Sequence, residues 1–325
     1  QRQAPGQQVV NRKISFYLLP FTLSLLLSGC MVGPDYEKPE VDVPVEYRFE
    51  FGAAAEVANS AWWDRFNDPL LYELVDEALR NNRDVRIAAA RVEEFTARVD
   101  IARSGLYPQF GYGGAASRSK VSLETGGVPE GISRTNDLYN AGINVGWELD
   151  FWGKIRRSTE AARANLLAQE EARRSVILTL VSTVTTSYID LLSLDEQLEV
   201  ARQTIKARKD SLDLFELKFK GGVVSELEVS QIRSEYEQAA VRIPSIERQV
   251  ALRENALSVL LGRNPGPIKR SSSIDLLTLP DIPSGLPSEL LERRPDIRQA
   301  EQNLIAANAQ IGVAKAQYFP TISLT

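Results

Sequence analysis

The stretch from Lys154 to Lys220 contains neither glycine nor proline, and it constrains the fold more than any other part of the sequence. As one continuous helix it would be about 100 Å long, several times the length of a typical globular helix. Apolar residues recur along it at every seventh position: Ile177, Val184, Leu191, Leu198, Ile205, Leu212 and Phe219. A strict heptad repeat predicts a left-handed supercoil against neighbouring helices. The stretch is too charged to lie in lipid, and a hydrated dimeric coiled coil is the alternative.

A tight reversal follows this long helix. Gly221-Gly222 is a helix-terminating pair, and Ser225 with Glu228 has the spacing of a capping box that opens the next helix. A second heptad pattern continues from there, with a kink expected at Pro244. Because the connection is short, the two helices must lie antiparallel. The sequence therefore predicts a helical hairpin over residues 153–262.

Residues 107–151 change to a period of two and become rich in glycine, serine and threonine. From Tyr139 to Phe151 every odd position is apolar and every even position is polar or glycine, which predicts a strand. A partner strand is expected over residues 109–121. A strand of about 13 residues exceeds the usual length of about 5–6 and suits the tilted strands of a membrane barrel. A soluble hairpin with one hydrated face is the alternative.

Aromatic side chains cluster at the base of both predicted strands. An interfacial belt at a membrane surface would be formed by Tyr107, Phe110, Tyr112, Trp147, Phe151 and Trp152. The β-hairpin with its belt occupies residues 106–152.

The composition argues against catalysis. The chain has no histidine, which is the usual general base and the commonest metal ligand, and its single cysteine excludes an internal disulfide and a cysteine-based zinc site. Aspartate and glutamate are scattered over the heptad helices, where hydrated faces are a better interpretation than a catalytic pair of carboxylates. The net charge of −5 argues against nucleic-acid binding. We therefore expect no enzyme activity, no catalytic residue, no metal site and no cofactor.

Residues 1–29 have the order of a signal peptide, with Arg12-Lys13 ahead of an apolar stretch and small residues at the end. The quartet Leu27-Ser28-Gly29-Cys30 resembles a bacterial lipobox. Cys30 is therefore predicted to be the mature N-terminus and to carry covalent lipid such as palmitate. The alternative is an incidental cysteine beside a signal sequence. An extended, lipid-anchored segment over residues 30–67 is expected to follow.

The chain repeats itself after 212 residues without gaps. Identical pairs in the two copies include Asp84/Asp296, Arg86/Arg298, Ala97/Ala309 and Pro108/Pro320. The first copy begins with helices over residues 68–105, and a connector over residues 263–287 leads to the second copy at residues 288–325. Because the second copy ends inside its first strand, we expect the sequence to be truncated there.

Together these parts indicate a conduit. Two strands, or four after a complete second copy, cannot close a membrane barrel, and an open sheet edge is not tolerated in lipid. Several chains must therefore share one barrel, and the helices that continue from its strands would form a shared tube. The predicted fold class is an α+β membrane protein in which a heptad α-helical tunnel continues an outer-membrane β-barrel.

Over nearly its whole length the chain resembles the outer-membrane factor (TolC-like) family, in its lipoprotein branch. The motifs that carry the resemblance are LSGC followed by GPDYEKP, WWDRFNDPLL, GWELDFWGKIRR, KFKGGVVSELEV and ERRPDIRQAEQNLIAANAQIGVAKAQYFP. The resemblance implies a homotrimer, with one barrel shared between three chains above a periplasmic tunnel. It also implies export of drugs, metals or other small molecules across the outer membrane, together with a periplasmic adaptor and an inner-membrane transporter.

The resemblance further implies where partners bind. The family's periplasmic tip, where adaptor hairpins dock, matches Gly221, Gly222, Val223, Val224 and Ser225. Glu228 falls where the family has an acidic residue that helps to hold the tip closed, commonly an aspartate, and a purely capping role is an equal interpretation. A periplasmic lipid-anchored adaptor or structural coiled-coil lipoprotein is the rival hypothesis, although such a protein needs no long amphipathic β-hairpin.

Overall fold

The computed structural model describes residues 31–41, 62–122, 135–278 and 291–325. The predicted signal peptide, Cys30, and parts of the extended segment and of the connector lie outside the described residues. In chain order the helices and strands are α1 (Pro69–Asn81), α2 (Arg83–Ser104), β1 (Gln109–Lys120), β2 (Thr135–Glu148), α3 (Lys154–Lys220), α4 (Glu226–Ala240), α5 (Arg242–Leu260), α6 (Pro295–Ala316) and β3 (Ser323–Leu324), with 3-10 turns at Trp62–Phe66 and Ile274–Leu276.

The chain forms two compact units. Of the described residues, the first unit comprises 31–40, 93–122, 135–168 and 300–325, and the second comprises 41, 62–92, 169–278 and 291–299. We call the first the strand unit, because it contains β1, β2 and β3, and the second the tip unit, because it contains the reversal between α3 and α4. The boundary between the units falls inside α2, α3 and α6.

The core of the tip unit lies where α1 and the end of α5 pack against α3. The Asp68 carboxylate caps α1 by accepting from the Leu70 N–H at 2.9 Å, and Pro69 occupies the first helical position. The apolar stripe of α1 joins one buried cluster: Leu71, Leu74, Val75, Ala78, Leu180, Val181, Val184, Tyr188, Leu191, Leu192, Leu257, Leu261 and Ile268. Full burial of each large side chain contributes about 1.5–3 kcal/mol, so this cluster holds the helices of the unit together.

Asn82 forms the corner between α1 and α2. Its Oδ1 accepts from the Asp84 N–H at 2.8 Å, and its Nδ2 donates to the Leu260 carbonyl at 2.9 Å. Gly262 has a φ of 70°, and a Cβ added there would lie 2.5 Å from the Asn81 carbonyl oxygen. Only glycine fits this turn, and α1 and α2 are separate helices with Asn82 between them.

Helix α3 has the bounds expected from its sequence and is 67 residues long. Its heptad stripe is buried at Val184, Leu191 and Leu212, whereas Phe219 near its end is largely exposed. Among the described helices, α3 is the one with an 18-residue window that would suit a membrane span by length and composition. Nearly half of that window is buried within the structure, as expected for a core helix.

The antiparallel partner of α3 is interrupted. α4 ends at Ala240 and α5 begins at Arg242, with Val241 between them. Pro244 has no N–H to donate to the Ala240 carbonyl, and its ring clashes with that carbonyl in a regular helix. The kink expected from Pro244 is therefore confirmed, and the break lies at Val241, in the turn that precedes the proline.

In the strand unit, β1 and β2 pair antiparallel, and β3 pairs with the other edge of β2. β2 ends at Glu148 rather than continuing to Phe151 as expected from the alternating pattern. The reason lies in Asp150, whose carboxylate accepts from the backbone N–H groups of Ile155 and Arg156 at 2.9 and 3.0 Å. These bonds turn the chain into the first turn of α3 and end the strand.

Helices α2 and α6 are each 22 residues long, and both of their bounds differ by the predicted offset of 212 residues. Each helix is followed by a short turn and then by a strand, β1 after α2 and β3 after α6. The spacing of these elements is therefore the one expected of two copies.

Candidate functional site

The reversal between α3 and α4 is closed by backbone hydrogen bonds. Gly222 has a φ of 74°, in the left-handed region that favours glycine. The Val223 N–H donates to the Lys218 carbonyl at 2.9 Å, and the Gly222 N–H donates to the Phe219 carbonyl at 2.9 Å. This pair of bonds is a Schellman motif, which satisfies the last carbonyls of α3. The predicted termination of the long helix by Gly221-Gly222 is confirmed.

Ser225 and Glu228 form the predicted capping box of α4. The Glu228 N–H donates to Ser225 Oγ at 3.3 Å, and the Ser225 N–H donates to Glu228 Oε2 at 2.7 Å. The Ser225 hydroxyl also donates to this carboxylate, at 2.9 Å. The bonds from Ser225 favour the charged form and hold the pKa of Glu228 below its usual value. Glu228 is therefore an anion fixed at a helix N-terminus, whereas its gating role stays a prediction.

We call residues 217–228, which form the reversal, the tip. The tip exposes apolar side chains. Val223 is 75% exposed, Leu217 and Leu227 are mostly exposed, and Val224 is half-buried. The backbone around Gly222 is equally open, with no atom within 4 Å of the position of an added Cβ. Apolar groups on a short, hydrogen-bonded turn are suited to contact with another helical hairpin.

Ion pairs join α3 to the helices that return from the tip. They link Glu216 to Arg233 at 2.7 Å, Arg202 to Glu247 at 3.5 Å, and Arg208 to Glu235. All six side chains are substantially exposed, so each pair contributes about 0–1 kcal/mol to stability. Because α3 contributes arginine to two of these pairs and glutamate to the third, the pairs favour the observed register of the helices.

The β-hairpin sorts its residues onto two faces. On one face Phe110 lies opposite Val145, Tyr112 opposite Ile143, and Ala116 opposite Tyr139. The other face is lined mainly by glycine, alanine, serine and asparagine, with Gln109 and Leu138 as the exceptions. At the end remote from the helices, Arg118 and Asp137 form a salt bridge of 2.6 Å on the first face. An exposed apolar face bounded by charge is suited to the hydrocarbon of a membrane.

At the helix end of the hairpin, two indoles bond to the backbone of the helix–strand corners. Trp147 Nε1 donates to the Leu106 carbonyl at 3.1 Å, and Trp152 Nε1 donates to the Pro320 carbonyl at 3.0 Å. The Trp152 ring also stacks on Phe319, with 4.5 Å between ring centroids.

The predicted belt residues therefore occupy two different places. Tyr107, Phe110 and Tyr112 are exposed beside Trp147, whereas Phe151 and Trp152 lie half-buried in the turn between β2 and α3. Their contact with a membrane interface stays a prediction.

Residues 31–40, which we call the strap, lie along α3 and α6 in the strand unit. The Arg157 side chain is 2% exposed and donates to Asp35 Oδ1 at 2.7 Å and to the Gly33 carbonyl at 3.3 Å. Asn308 Nδ2 donates to the Pro34 carbonyl at 3.1 Å. A Cβ added to Gly33 would lie 2.5 Å from the Cα of Gly312, so the strap packs directly on the backbone of α6. This segment contains the GPDYEKP motif, but the motif alone does not predict that Asp35 pairs with Arg157.

A buried polar network joins three distant parts of the tip unit. The Tyr188 hydroxyl donates to Asp68 Oδ2 at 2.5 Å, the Ser271 hydroxyl donates to the same oxygen at 2.7 Å, and the Ser271 N–H donates to the Tyr188 oxygen at 3.1 Å. Burial opposes ionisation of Asp68, but these bonds and those from the start of α1 outweigh it and hold the pKa of Asp68 below its usual value. Burial, reinforced by Asp68, raises the pKa of Tyr188. Sequence reasoning missed this network because only the helix cap at Asp68 gives a local signal.

Cys30, the predicted lipidation site, lies outside the described residues. Within the described part of the chain, no group of three or more histidine, cysteine, aspartate or glutamate side chains is arranged to hold a metal ion.

Comparison with known proteins gives consistent results. The family described as "Outer membrane efflux protein" matches residues 74–263 and 286–325. The cation efflux system protein CusC of Escherichia coli O6:H1 is 37% identical over 314 residues, which are 95% of this chain and 66% of CusC. The probable efflux pump outer membrane protein TtgC of Pseudomonas putida is 36% identical over 310 residues, which are 93% of this chain and 64% of TtgC. The chain thus spans about two thirds of the length of these relatives.

Solved structures show the same likeness. A crystal structure of CusC superimposes with a TM-score of 0.77 at 34% identity, covering 90% of this chain and 66% of that one. The open-state structure of the MtrE outer membrane channel of Neisseria gonorrhoeae superimposes with a TM-score of 0.78 at 30% identity, covering 90% of this chain and 65% of MtrE.

Proposed function

Since this chain belongs to the outer membrane efflux protein family, we propose that it is the outer-membrane channel component of a tripartite efflux system. In that role it is not an enzyme but a passive conduit for small molecules such as drugs or metals. The observation that carries the proposal is a β-hairpin with one exposed apolar face that continues, after a five-residue turn at 149–153, into a helix of 67 residues. A membrane-inserted sheet and a long heptad helix in one chain are the parts of a channel with a periplasmic extension.

The unpaired edge of the sheet supports a barrel shared between chains, and we propose that three chains share it. Within the described residues β1 pairs with β2 alone, so its other edge lacks a partner in this chain. Unpaired backbone groups cost several kcal/mol each in hydrocarbon. A homotrimer, in which the edge strand of one chain pairs with the next chain, removes this cost. The matching bounds of α2 and α6 support two copies of a helix–strand unit contributing to each third of the barrel.

A lipid on Cys30 adds a second attachment to the membrane. The Val32 N–H donates to the Trp152 carbonyl at 3.2 Å, so the strap starts beside the turn that joins the membrane hairpin to α3. Residue 30 is only two positions upstream, which supports its lipidation at the level of the outer membrane, with the helices extending into the periplasm.

The tip is the docking site that we propose for a periplasmic adaptor, which in turn engages an inner-membrane transporter. Its exposed apolar residues, including Val223 and Leu227, offer a contact surface on a rigid turn. Glu228 is an exposed anion at this surface, and we propose that it helps to hold the tip closed.

Single-channel recording tests the proposed function. The intact protein, added to planar bilayers of phosphatidylcholine, is expected to give stepwise conductance, and its Cys30→Ser variant, secreted behind a cleavable signal peptide, is expected to do the same. Inserted protein that gives no conductance at any concentration would instead favour the lipid-anchored adaptor or structural coiled-coil lipoprotein.

A further inference from the structure

A groove in the strand unit has no assigned role. It has a volume of about 600 Å³ and is lined by residues of the strap, α2, α3 and α6. Its floor is apolar and includes Met31, Leu106, Ala164, Leu167 and Ile305. This size and shape are those of a site for a small molecule or for part of a lipid.

The wall of the groove is strongly basic. Arg103, Arg156 and Arg163 all line it, and the last two stand seven residues apart on α3, on one face of the helix. Arg156 is paired with Asp150 at 3.2 Å. In the part of the chain that the structure describes, Arg103 and Arg163 have no salt-bridge partner.

The carboxylate of the groove does not neutralise these two arginines. Glu160 lines the groove, but its Oε2 accepts a hydrogen bond from the buried Arg157 at 2.8 Å. Arg157 is itself shared with Asp35 of the strap. Two guanidinium groups therefore remain uncompensated beside an apolar floor, which is the charge pattern that attracts a phosphate with an attached apolar chain.

The position of the groove indicates that the phosphate belongs to a membrane lipid and not to a free ion. Leu106, which lines it, also accepts the indole hydrogen bond of Trp147 at 3.1 Å, and Tyr107 follows directly. Tryptophan and tyrosine concentrate at the membrane–water interface, and the headgroup layer beyond it is about 5–7 Å thick. Arg103 lies about one helical turn from Tyr107, so its charge falls within this layer, and the long Arg163 side chain can extend toward it.

We propose that this groove binds the headgroup of an anionic phospholipid from the membrane leaflet next to the helices, with Arg103 and Arg163 on the phosphate and an acyl chain over Leu106 and Leu167. The proposal rests on the membrane insertion in the proposed function. It is distinct from the covalent lipid of Cys30, because the ligand is a free membrane lipid and is held by charge.

Native mass spectrometry of the intact protein, released from mixed bilayers of phosphatidylglycerol and phosphatidylcholine, tests the proposal. We expect wild type to retain phosphatidylglycerol preferentially, and Arg103→Gln/Arg163→Gln to weaken that preference by about tenfold or more. Arg173→Gln/Arg248→Gln removes the same charge from exposed arginines outside the groove and keeps the preference. Arg103→Lys/Arg163→Lys retains the positive charge and should keep part of the preference for phosphatidylglycerol. A loss caused by misfolding is thereby distinguished from a loss caused by the missing charge.

Several results would overturn the proposal. Equal retention of the two lipids by wild type, or an unchanged preference in the Gln pair, would show that the groove does not select anionic lipid. Full displacement of the lipid by millimolar inorganic phosphate would indicate a free-phosphate site. Loss of the trimer without loss of lipid preference would assign the arginines to a chain–chain contact. Conductance in pure phosphatidylcholine is scored separately, so a failure of the channel is distinguishable from a failure of the lipid site.

Discussion

A charge placed on the apolar face of the β-hairpin tests the membrane assignment directly. Ile143 is 82% exposed on that face and stands four residues from both Trp147 and Tyr139. That separation is about 14 Å along the strand, or about 10 Å in height at a strand tilt of about 40°. Ile143 is thus expected near the middle of the hydrocarbon band, where the cost of a charge is greatest.

The magnitude follows from this depth. Arginine on the lipid face at the bilayer midplane costs about 2–4 kcal/mol, which corresponds to about 30-fold to 1,000-fold in the equilibrium between inserted and uninserted protein. If three chains share one barrel and the sites are independent, the costs add to about 6–12 kcal/mol for the assembly. Ile143→Arg should therefore leave little inserted protein.

Asn144→Arg is the matched control. Asn144 is adjacent in sequence but on the opposite face, across from Gly111, and it is exposed, so a longer side chain can extend away from the sheet. Insertion is measured as the fraction of protein that floats with phosphatidylcholine vesicles after an alkaline wash, and conductance is recorded on the same samples. Equal insertion of Ile143→Arg and wild type, or equal loss in both variants, would refute the assignment of the faces.

Three further substitutions test the tip unit. Gly262→Ala forces a side chain into a left-handed turn against the Asn81 carbonyl and should lower the free energy of unfolding by about 1–3 kcal/mol, measured by urea denaturation. Tyr188→Phe removes a donor from buried Asp68 and should cost about 1–3 kcal/mol at neutral pH. Because the pKa of Asp68 is lowered on folding, the contribution of its carboxylate to the free energy of unfolding is complete above about pH 4 and is lost as pH falls through the folded pKa. Tyr188→Phe should therefore lose less stability in acid than wild type. Glu228→Lys opens the capping box and reverses the charge at the tip, and it should reduce adaptor-dependent export while the helical circular dichroism is retained.

Matched controls separate these effects from general damage. Gly266→Ala meets open space and should leave the unfolding midpoint unchanged. Tyr72→Phe removes a hydroxyl from an exposed tyrosine and should leave the acid dependence of stability as in wild type. Glu226→Lys reverses a neighbouring charge without breaking the capping box. Export and resting conductance that are unaffected by Glu228→Lys would count against a role of the tip in coupling or closure.

Local signals explain how much of the fold could be predicted. The bounds of α3 follow from the absence of glycine and proline between Lys154 and Lys220, and its end follows from the αL position at Gly222. The capping box at Ser225 needs only four consecutive residues, so its spacing is readable from the sequence. The alternating pattern predicts the two strands of the β-hairpin, and the register that the structure shows keeps the apolar and polar faces apart, as a shift by one residue would not.

Contacts between distant residues explain what could not be predicted. Asp68, Tyr188 and Ser271 are separated by more than 80 residues in sequence, so their network depends on how three elements pack. The same holds for Arg157 and Asp35, which are 122 residues apart.

The break at Val241 gives the helical hairpin two sides of different stiffness. α3 is uninterrupted over 67 residues, whereas the returning side is interrupted between α4 and α5. Val241 keeps helical dihedrals, with a φ of −62° and a ψ of −24°, so the interruption is confined to one turn. Helices bend most readily where a proline removes a hydrogen bond of the ladder. A sideways load on the tip is therefore expected to bend the returning side at this turn first, whereas α3 resists it along its whole length.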